Sequence, residues 1–388
     1  MKVEQVYELM NGITEELLGD SVVVNEDLSN VVDVGVAFAN LKDGYDNYVK
    51  SLINRIGRTK FVDRLYKGRA PKVLMESWEF GSILMKIRTE LPEARENESW
   101  ELTDGTSYDP NIFYKPKVSA KFFNDRVTYE IDLSFTRKQL VESFESATQL
   151  NAFYSMLETS IENSMTLKLD GLIMRTINNM IAETIYAEYP GGSSTYDDGT
   201  GVRAINVLYE YNQAYPNNTL TAAEAMTSPD FIRFVSYRMG QTVDRLGVYS
   251  KLFNIENTEK FTPRDRMHVV LLSDFARAAD VYLQADTFHK ELTALPLAET
   301  ITHWQGTGTD FGFDSVSAIN VKTSEGHTVS VSGVLGVMFD SEALGVTNLD
   351  RRTPTNYNPK AEFWTNFHKV DAGYFNDFAE NLVVFFIA

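Results

Sequence analysis

Residues 146–187 read SATQLNAFYSMLETSIENSMTLKLDGLIMRTINNMIAETIYA. Leu150, Phe153, Leu157, Ile161, Met165, Leu169, Leu172, Ile173, Ile177, Met180, Ile181 and Ile185 recur at spacings of three and four. That spacing puts them on one side of an α-helix. No proline interrupts the run, and Gly171 is its single glycine. Unbroken, the helix would reach about 60 Å at a rise of 1.5 Å per residue, far beyond the usual globular helix. Glycine weakens a helix interior, so a break into two helices near Lys168–Gly171 is the alternative.

Immediately upstream, Thr136 and Gln139 match a capping box. Before them, Val127, Tyr129, Ile131, Leu133 and Phe135 alternate with polar residues, the period of a strand with one buried face. Lys72–Arg88 is also rich in strand formers. Between these two runs lies LPEARENESWELTDGTSYDPN (91–111), polar and acidic. The expected arrangement is a long hairpin over about 70–135 whose two runs pair and whose tip is this loop. A hairpin of that kind is marginal on its own and needs a surface to lie on, which a neighbouring chain could supply.

Charge divides the N-terminal part. Residues 1–41 hold one Lys and eight acids, net −7, and residues 42–72 hold nine Lys/Arg and three Asp, net +6. Glu4–Leu18 fits a short amphipathic helix. Residues 45–68 mix basic and aromatic residues at no clean period, as in an arm that packs on other surfaces, or in a solvated basic face.

Downstream, Tyr189–Gly201 is a glycine-rich stop, and residues 202–330 read as α+β. Ser228-Pro229 caps a helix to about Leu246. Val269–Leu272 is a short strand, and Ser273 caps a helix over about 274–283. Val334–Phe339 is a strand ending in Asp340-Ser-Glu-Ala-Leu, read as a strand-to-helix turn. Glu362–Val370 and Asn381–Ala388 are two further strands, the last expected to be paired inside a sheet.

The whole chain has 388 residues, a formal charge of −18, no cysteine, 43% apolar and 23% charged residues. The composition is that of a globular protein with several modules. Zero cysteines remove disulfide scaffolds, thiol nucleophiles and thiolate-held metals. The acidity opposes a general grip on nucleic acid or on an anionic membrane. The N-terminus has no apolar signal core, and no apolar run approaches the roughly 20 residues of a membrane span, so a soluble protein made in the cytoplasm is expected.

Catalytic patterns are missing from the sequence. The five histidines, at 268, 289, 303, 327 and 368, form no metal-binding pair on a helix. There is no phosphate loop and no nucleophile elbow. Gly306, Gly308 and Gly312 miss the dinucleotide fingerprint by one residue. Asp197-Asp198-Gly199 reads as a solvated turn, since the spacing of a calcium loop is missing. Glu93, Glu96, Glu98, Glu101 and Asp104 cluster on the hairpin tip, where a rigid catalytic pair is not expected. Phe122, Phe123, Phe363, Trp364, Phe367, Tyr374, Phe375, Phe385 and Phe386 are expected in cores or subunit contacts. Neither a catalytic residue, a cofactor nor a metal is expected.

The order of elements (arm, long hairpin, very long helix, α+β module, closing strands) resembles the major capsid proteins of tailed bacteriophages, the Hong Kong 97 type of fold. SLINRIGRTKFVDRLYKGRAPKVLMESWEFGSILMKI (51–87) resembles the arm and first hairpin strand of coat proteins of small short-tailed phages. VTYEIDLSFTRKQLVESFESATQLNAFYSMLETSIENSM (127–165) resembles their second hairpin strand and entry to the spine helix. VLGVMFDSEALGVTNL (334–349) and EFWTNFHKVDAGYFNDFAENLVVFFIA (362–388) resemble their closing strands.

The resemblance implies an α+β Hong Kong 97-like chain divided into an N-terminal arm (1–68), an E-loop (69–135), a peripheral domain with the spine helix (136–205 and 330–388) and an axial domain (206–329). It implies a non-catalytic subunit that self-assembles through hexamers and pentamers into an icosahedral head around double-stranded DNA, bound without sequence specificity. The implied partners are copies of itself, a separate scaffolding protein and a portal protein, with no membrane. The location would be the virion, after synthesis in the bacterial host. Expected interface residues are Arg55, Arg58, Lys60 and Arg64 on the arm, and Glu93, Glu96, Glu98, Trp100 and Glu101 on the hairpin tip. A carboxylate-dependent glycan hydrolase and a binding or adhesion module are the competing readings.

Overall fold

The computed structural model describes residues 64–75, 83–136, 147–284, 298–305 and 312–388. The expected helix at 4–18, most of the arm, Gln139 of the capping box, and Gly306 and Gly308 lie outside the described residues. The chain divides into two compact units, 1–64 with 148–156, and 65–147 with 157–388. Of the first, Arg64 and a stretch of helix are described. The second holds every described sheet.

In chain order the second unit begins with β1 (Leu74–Met75), β2 (Leu84–Thr89), β3 (Val118–Phe123) and β4 (Arg126–Thr136). Then comes α1 (Ala147–Glu188), 42 residues without a break. The two-helix alternative is therefore wrong. A Cβ at Gly171 would meet nothing within 4 Å, so no close neighbour requires the glycine. After α1 follow β5 (Ala204–Asn206), α2 (Val207–Ala214), α3 (Ala222–Ala225), α4 (Pro229–Leu246), β6 (Met267–Leu272), α5 (Ser273–Gln284) and β7 (Ala298–Ile301). The chain closes with α6 (Phe313–Val316), β8 (Ile319–Lys322), β9 (Thr328–Val331), β10 (Val334–Asp340), β11 (Leu344–Arg352), β12 (Thr355–Asn358), β13 (Phe363–Asn376) and β14 (Leu382–Phe386).

The central sheet has the order β5-β14-β10-β6-β7. Its middle strands are buried along their whole length, which is why VLGVMFD and LVVFF read as nearly continuous apolar runs. Alternation still sorts their side chains. Val270, Leu272, Val337, Phe339, Leu382, Val384 and Phe386 join Leu172, Ile177, Ile181 and Ile185 of α1 in one core. Val269, Leu271, Leu335, Met338, Val383 and Phe385 join Phe231, Val235, Met239 and Phe275 of α4 and α5 in a second. The sheet is thus sandwiched between helices, and the C-terminal strand lies inside it as expected. Ser228 caps α4 by accepting from the Phe231 N–H at 3.4 Å, with Pro229 in the first turn.

The second sheet corrects the hairpin expectation. Among the described residues, β4 does not pair with the Lys72–Arg88 run. It pairs antiparallel with β13 over eleven positions, from Arg126 opposite Gly373 to Thr136 opposite Phe363. β2 pairs with β3 instead, Leu84 opposite Phe123 and Thr89 opposite Val118. The reason is matching of length and face. β4 is an 11-residue strand with one half-buried face, and β13 offers fourteen residues whose Val370 joins Tyr129, Ile131 and Leu133 against Ile161 and Met165 of α1. Six-residue β2, alternating with Lys86 and Arg88, cannot cover such a face.

Residues 340–344 make a strand-to-strand turn and not the expected strand-to-helix turn. Asp340 Oδ1 accepts from the Glu342 N–H at 2.9 Å and its carbonyl accepts from the Ala343 N–H at 2.8 Å. That side-chain bond supplies an Asx turn, which competes with helix initiation.

Candidate assembly surface

The β2–β3 ribbon has two chemically opposite faces, because strand side chains alternate. Lys86 and Arg88 on β2 and Lys121 on β3 share one face. The other face carries Met85 beside Phe122, Ile87 beside Ala120 and Thr89 beside Val118. The ribbon turns its cationic face inward and its apolar face to solvent, the reverse of the ordinary arrangement.

The inward face docks on the turn between β13 and β14. Lys86 Nζ lies 3.3 Å from Asp377 Oδ2, donates to the Glu342 carbonyl, and sits 4.8 Å from the Phe375 ring centroid. Arg88 pairs with both Asp377 and Glu380. Lys121 reaches Asp377 Oδ1 at 3.3 Å and also pairs with Glu256. Lys260 reaches Glu380 at 3.3 Å. The Asp377 side chain is fully buried. Burial by itself would raise its carboxyl, but Lys86, Arg88 and Lys121 outweigh burial and hold it below the ordinary carboxylate value. Glu380 behaves oppositely. Burial raises it, against the pull of Lys260 and Arg88.

On the outward face Met85 is 50% exposed, Ile87 61%, Val118 59% and Phe122 64%. The apolar exposure continues onto residues 90–117, where Trp100 and Phe113 stand almost free. Large exposed apolar side chains of this kind make a candidate interaction surface.

Of the expected interface residues, Glu93, Glu96, Trp100 and Glu101 lie on this exposed loop, with Glu98–Trp100 forming a single 3-10 turn. The Glu98 side chain, and Arg55, Arg58 and Lys60, lie outside the described residues; Arg64 is exposed. Lys86, Arg88, Lys121, Asp377 and Glu380 were missed. The alternation of charge with apolar residues in LMKIRT was the signal that could have found the first two. Among the expected aromatics, Phe375, Phe385 and Phe386 are buried and Phe123 lies 5.2 Å from Phe375, centroid to centroid. Phe363, Trp364, Phe367 and Tyr374 are half-buried, and Phe122 is exposed.

No group of three or more potential metal ligands occurs among the described residues. His268 stacks on Phe339, where burial lowers its pKa, and His327 stacks on Tyr186. No helix among the described residues is long and apolar enough to cross a membrane.

Comparisons with known proteins give a family by sequence and a fold by structure. The profile of the Phi29-like phage major capsid protein family matches residues 10–386. The capsid structure of Staphylococcus phage Andhra superposes with a TM-score of 0.57 at 8% identity, covering 86% of this chain and 87% of that one. A structure of native bacteriophage P68, described as head fiber and inner core protein, superposes with a TM-score of 0.53 at 8% identity, covering 86% and 88%. No curated protein sequence matches the chain. At such identities the structural likeness carries the fold, which is the Hong Kong 97-like capsid fold expected from the order of elements. The role is that of a structural capsid protein, and the hydrolase and adhesion readings gain no support. The chain belongs to the Phi29-like phage major capsid protein family.

Proposed function

We propose that this capsid subunit closes into hexamers and pentamers of an icosahedral head by laying the apolar face of its β2–β3 ribbon on a neighbouring copy. The supporting observation is the row Met85, Ile87, Val118 and Phe122, turned to solvent while charged residues occupy the inner side. Covering that row with a second copy removes apolar area from water, and contacts repeated head to tail close into rings. The basic arm residues Arg55, Arg58, Lys60 and Arg64 meet the acidic tip, Glu93, Glu96, Glu98 and Glu101, around Trp100 of a neighbour. The subunit performs no catalysis. It works with a separate scaffolding protein and a portal protein, encloses double-stranded DNA without reading its sequence, and is made in the bacterial cytoplasm before entering the virion.

The division into arm (1–68), E-loop (69–135), peripheral domain (136–205 and 330–388) and axial domain (206–329) belongs to this proposal. On it, β10 and β14 thread from the peripheral segment into the axial sheet, since both pair within the sheet that holds β6.

Electron microscopy of the protein, expressed with and without the neighbouring phage genes, tests the reading. Shells, or rings of five and six subunits, are expected. A protein that stays monomeric at high concentration even with its scaffolding partner would overturn it.

A further inference from the structure

We propose that the β13–β14 turn and the cationic face of the β2–β3 ribbon form an electrostatic latch, which lets the ribbon leave as a unit when the cluster is discharged while the central sheet stays folded. The proposal concerns one subunit and does not depend on assembly through the outer face.

Charge runs along the ribbon's attachment. Its outer apolar row is turned to solvent. On the inner face the Phe123–Phe375 ring contact, with Lys86 over both rings, sits beside three cations. Asp377 is faced by Lys86 and Arg88 from β2 and by Lys121 from β3. Glu256 and Lys260 approach from the segment after α4, Asp340 from the end of β10, and Glu380 from the same turn. Four cations thus stand against four acids. Such a cluster holds only while its pairs are intact, because one missing partner leaves a buried charge uncompensated.

The socket is anchored independently of the ribbon. The Asp377 N–H donates to the Ala343 carbonyl at 2.7 Å, the Ile255 N–H donates to the Phe378 carbonyl at 3.1 Å, and Thr258 Oγ1 donates to the Ala379 carbonyl at 2.9 Å. Departure of the ribbon therefore costs the turn none of its backbone bonds. The detached ribbon, two strands alone, is marginal and frays.

Acid is one way to discharge the latch. The ribbon's cations depress the Asp377 carboxyl in the docked state, and undocking removes them. Docking is therefore favoured at neutral pH and is lost as pH falls through the depressed value. Glu380 is raised by burial, so its protonation does not drive release, and the loss on acidification is carried by Asp377.

Hydrogen exchange of the full chain at neutral pH tests this in D377N, R88M and the milder K121M. Amides of β2 and β3 should exchange on the order of tenfold faster or more than in the wild type, with β10 and β14 unchanged. E130Q, which breaks the Lys369–Glu130 pair on another sheet, should leave the ribbon protected. Unchanged ribbon protection in the latch variants overturns the proposal. So does loss of protection in β10 and β14 in step with the ribbon in K121M. Should D377N and R88M fail to fold, K121M and acid titration of the wild type decide by the same readout.

Discussion

Trp304 donates its indole N–H to the Val334 carbonyl at 2.9 Å, tying the segment after β7 to the start of the central strand β10. The ring is 1% exposed. Its own carbonyl accepts from Asn178 Nδ2 of α1 at 2.8 Å, and its N–H donates to the Val316 carbonyl at 3.0 Å. One residue therefore joins helix, sheet and the polar segment between them.

Trp304→Phe keeps most of the buried area and removes the donor from a buried carbonyl. A loss of about 1–3 kcal/mol is expected, the cost of an unsatisfied buried acceptor. Denaturant unfolding measures it, and a variant as stable as the wild type would show that the bond contributes nothing.

Gly171→Ala should stabilise the protein by about 0.5–1 kcal/mol. The position is exposed in the middle of α1 and a Cβ there meets nothing within 4 Å. A raised thermal midpoint is the expected readout; a lowered one would mean that the helix bends there in solution.

Gly333→Ala should do the opposite. Gly333 has φ +85°, and a Cβ would clash with the Ile387 carbonyl oxygen. Strain of that kind costs at least about 1–3 kcal/mol. Comparing the two glycine variants by the same unfolding measurement separates backbone strain from helix propensity.

Tyr189 gives the fold an alkaline limit. Its ring meets Tyr196 and Phe386 edge-on, its hydroxyl donates to the Ala204 carbonyl at 3.2 Å, and burial pushes its phenol up to about 12. A raised phenol favours the neutral folded form, so its contribution is whole below about 10 and is lost as pH climbs towards 12. Urea midpoints at pH values of about 8 and 11 should fall more steeply for the wild type than for Tyr189→Phe, which cannot ionise. Parallel curves for the two proteins would remove Tyr189 as the cause.

Phe122→Asp and Ile87→Asp should leave the subunit folded, with a circular dichroism melt close to the wild type, because both side chains already face solvent. Shells should nevertheless fail to form. Normal particles in micrographs of both variants would locate the subunit contact elsewhere.

The long helix was legible in its three-and-four spacing because a helix is read from its own local period. The Ser228-Pro229 start of α4 and the buried runs of β10 and β14 were legible for the same reason, as each is a property of neighbouring residues. The half-buried face of β4 was legible too, down to the alternation of Val127, Tyr129, Ile131 and Leu133. Its partner was not. Nothing in residues 127–135 distinguishes β2 from β13, two hundred residues further on, as the strand that covers them.

The inward charge of the ribbon was hidden by the same limit. LMKIRT states that Lys86 and Arg88 share a face, but burying that face is favourable only because Asp377 and Glu380 wait behind it. Sequence by itself determined the long helix α1, the start of α4, the strands β4, β10 and β14, the alternation of the β4 face and the capsid-like order of elements, all set by local sterics and side-chain period. Tertiary structure alone decided which strand pairs with which and which ribbon face turns inward. Those outcomes depend on long-range matching of length, apolar area and charge between segments far apart in the chain.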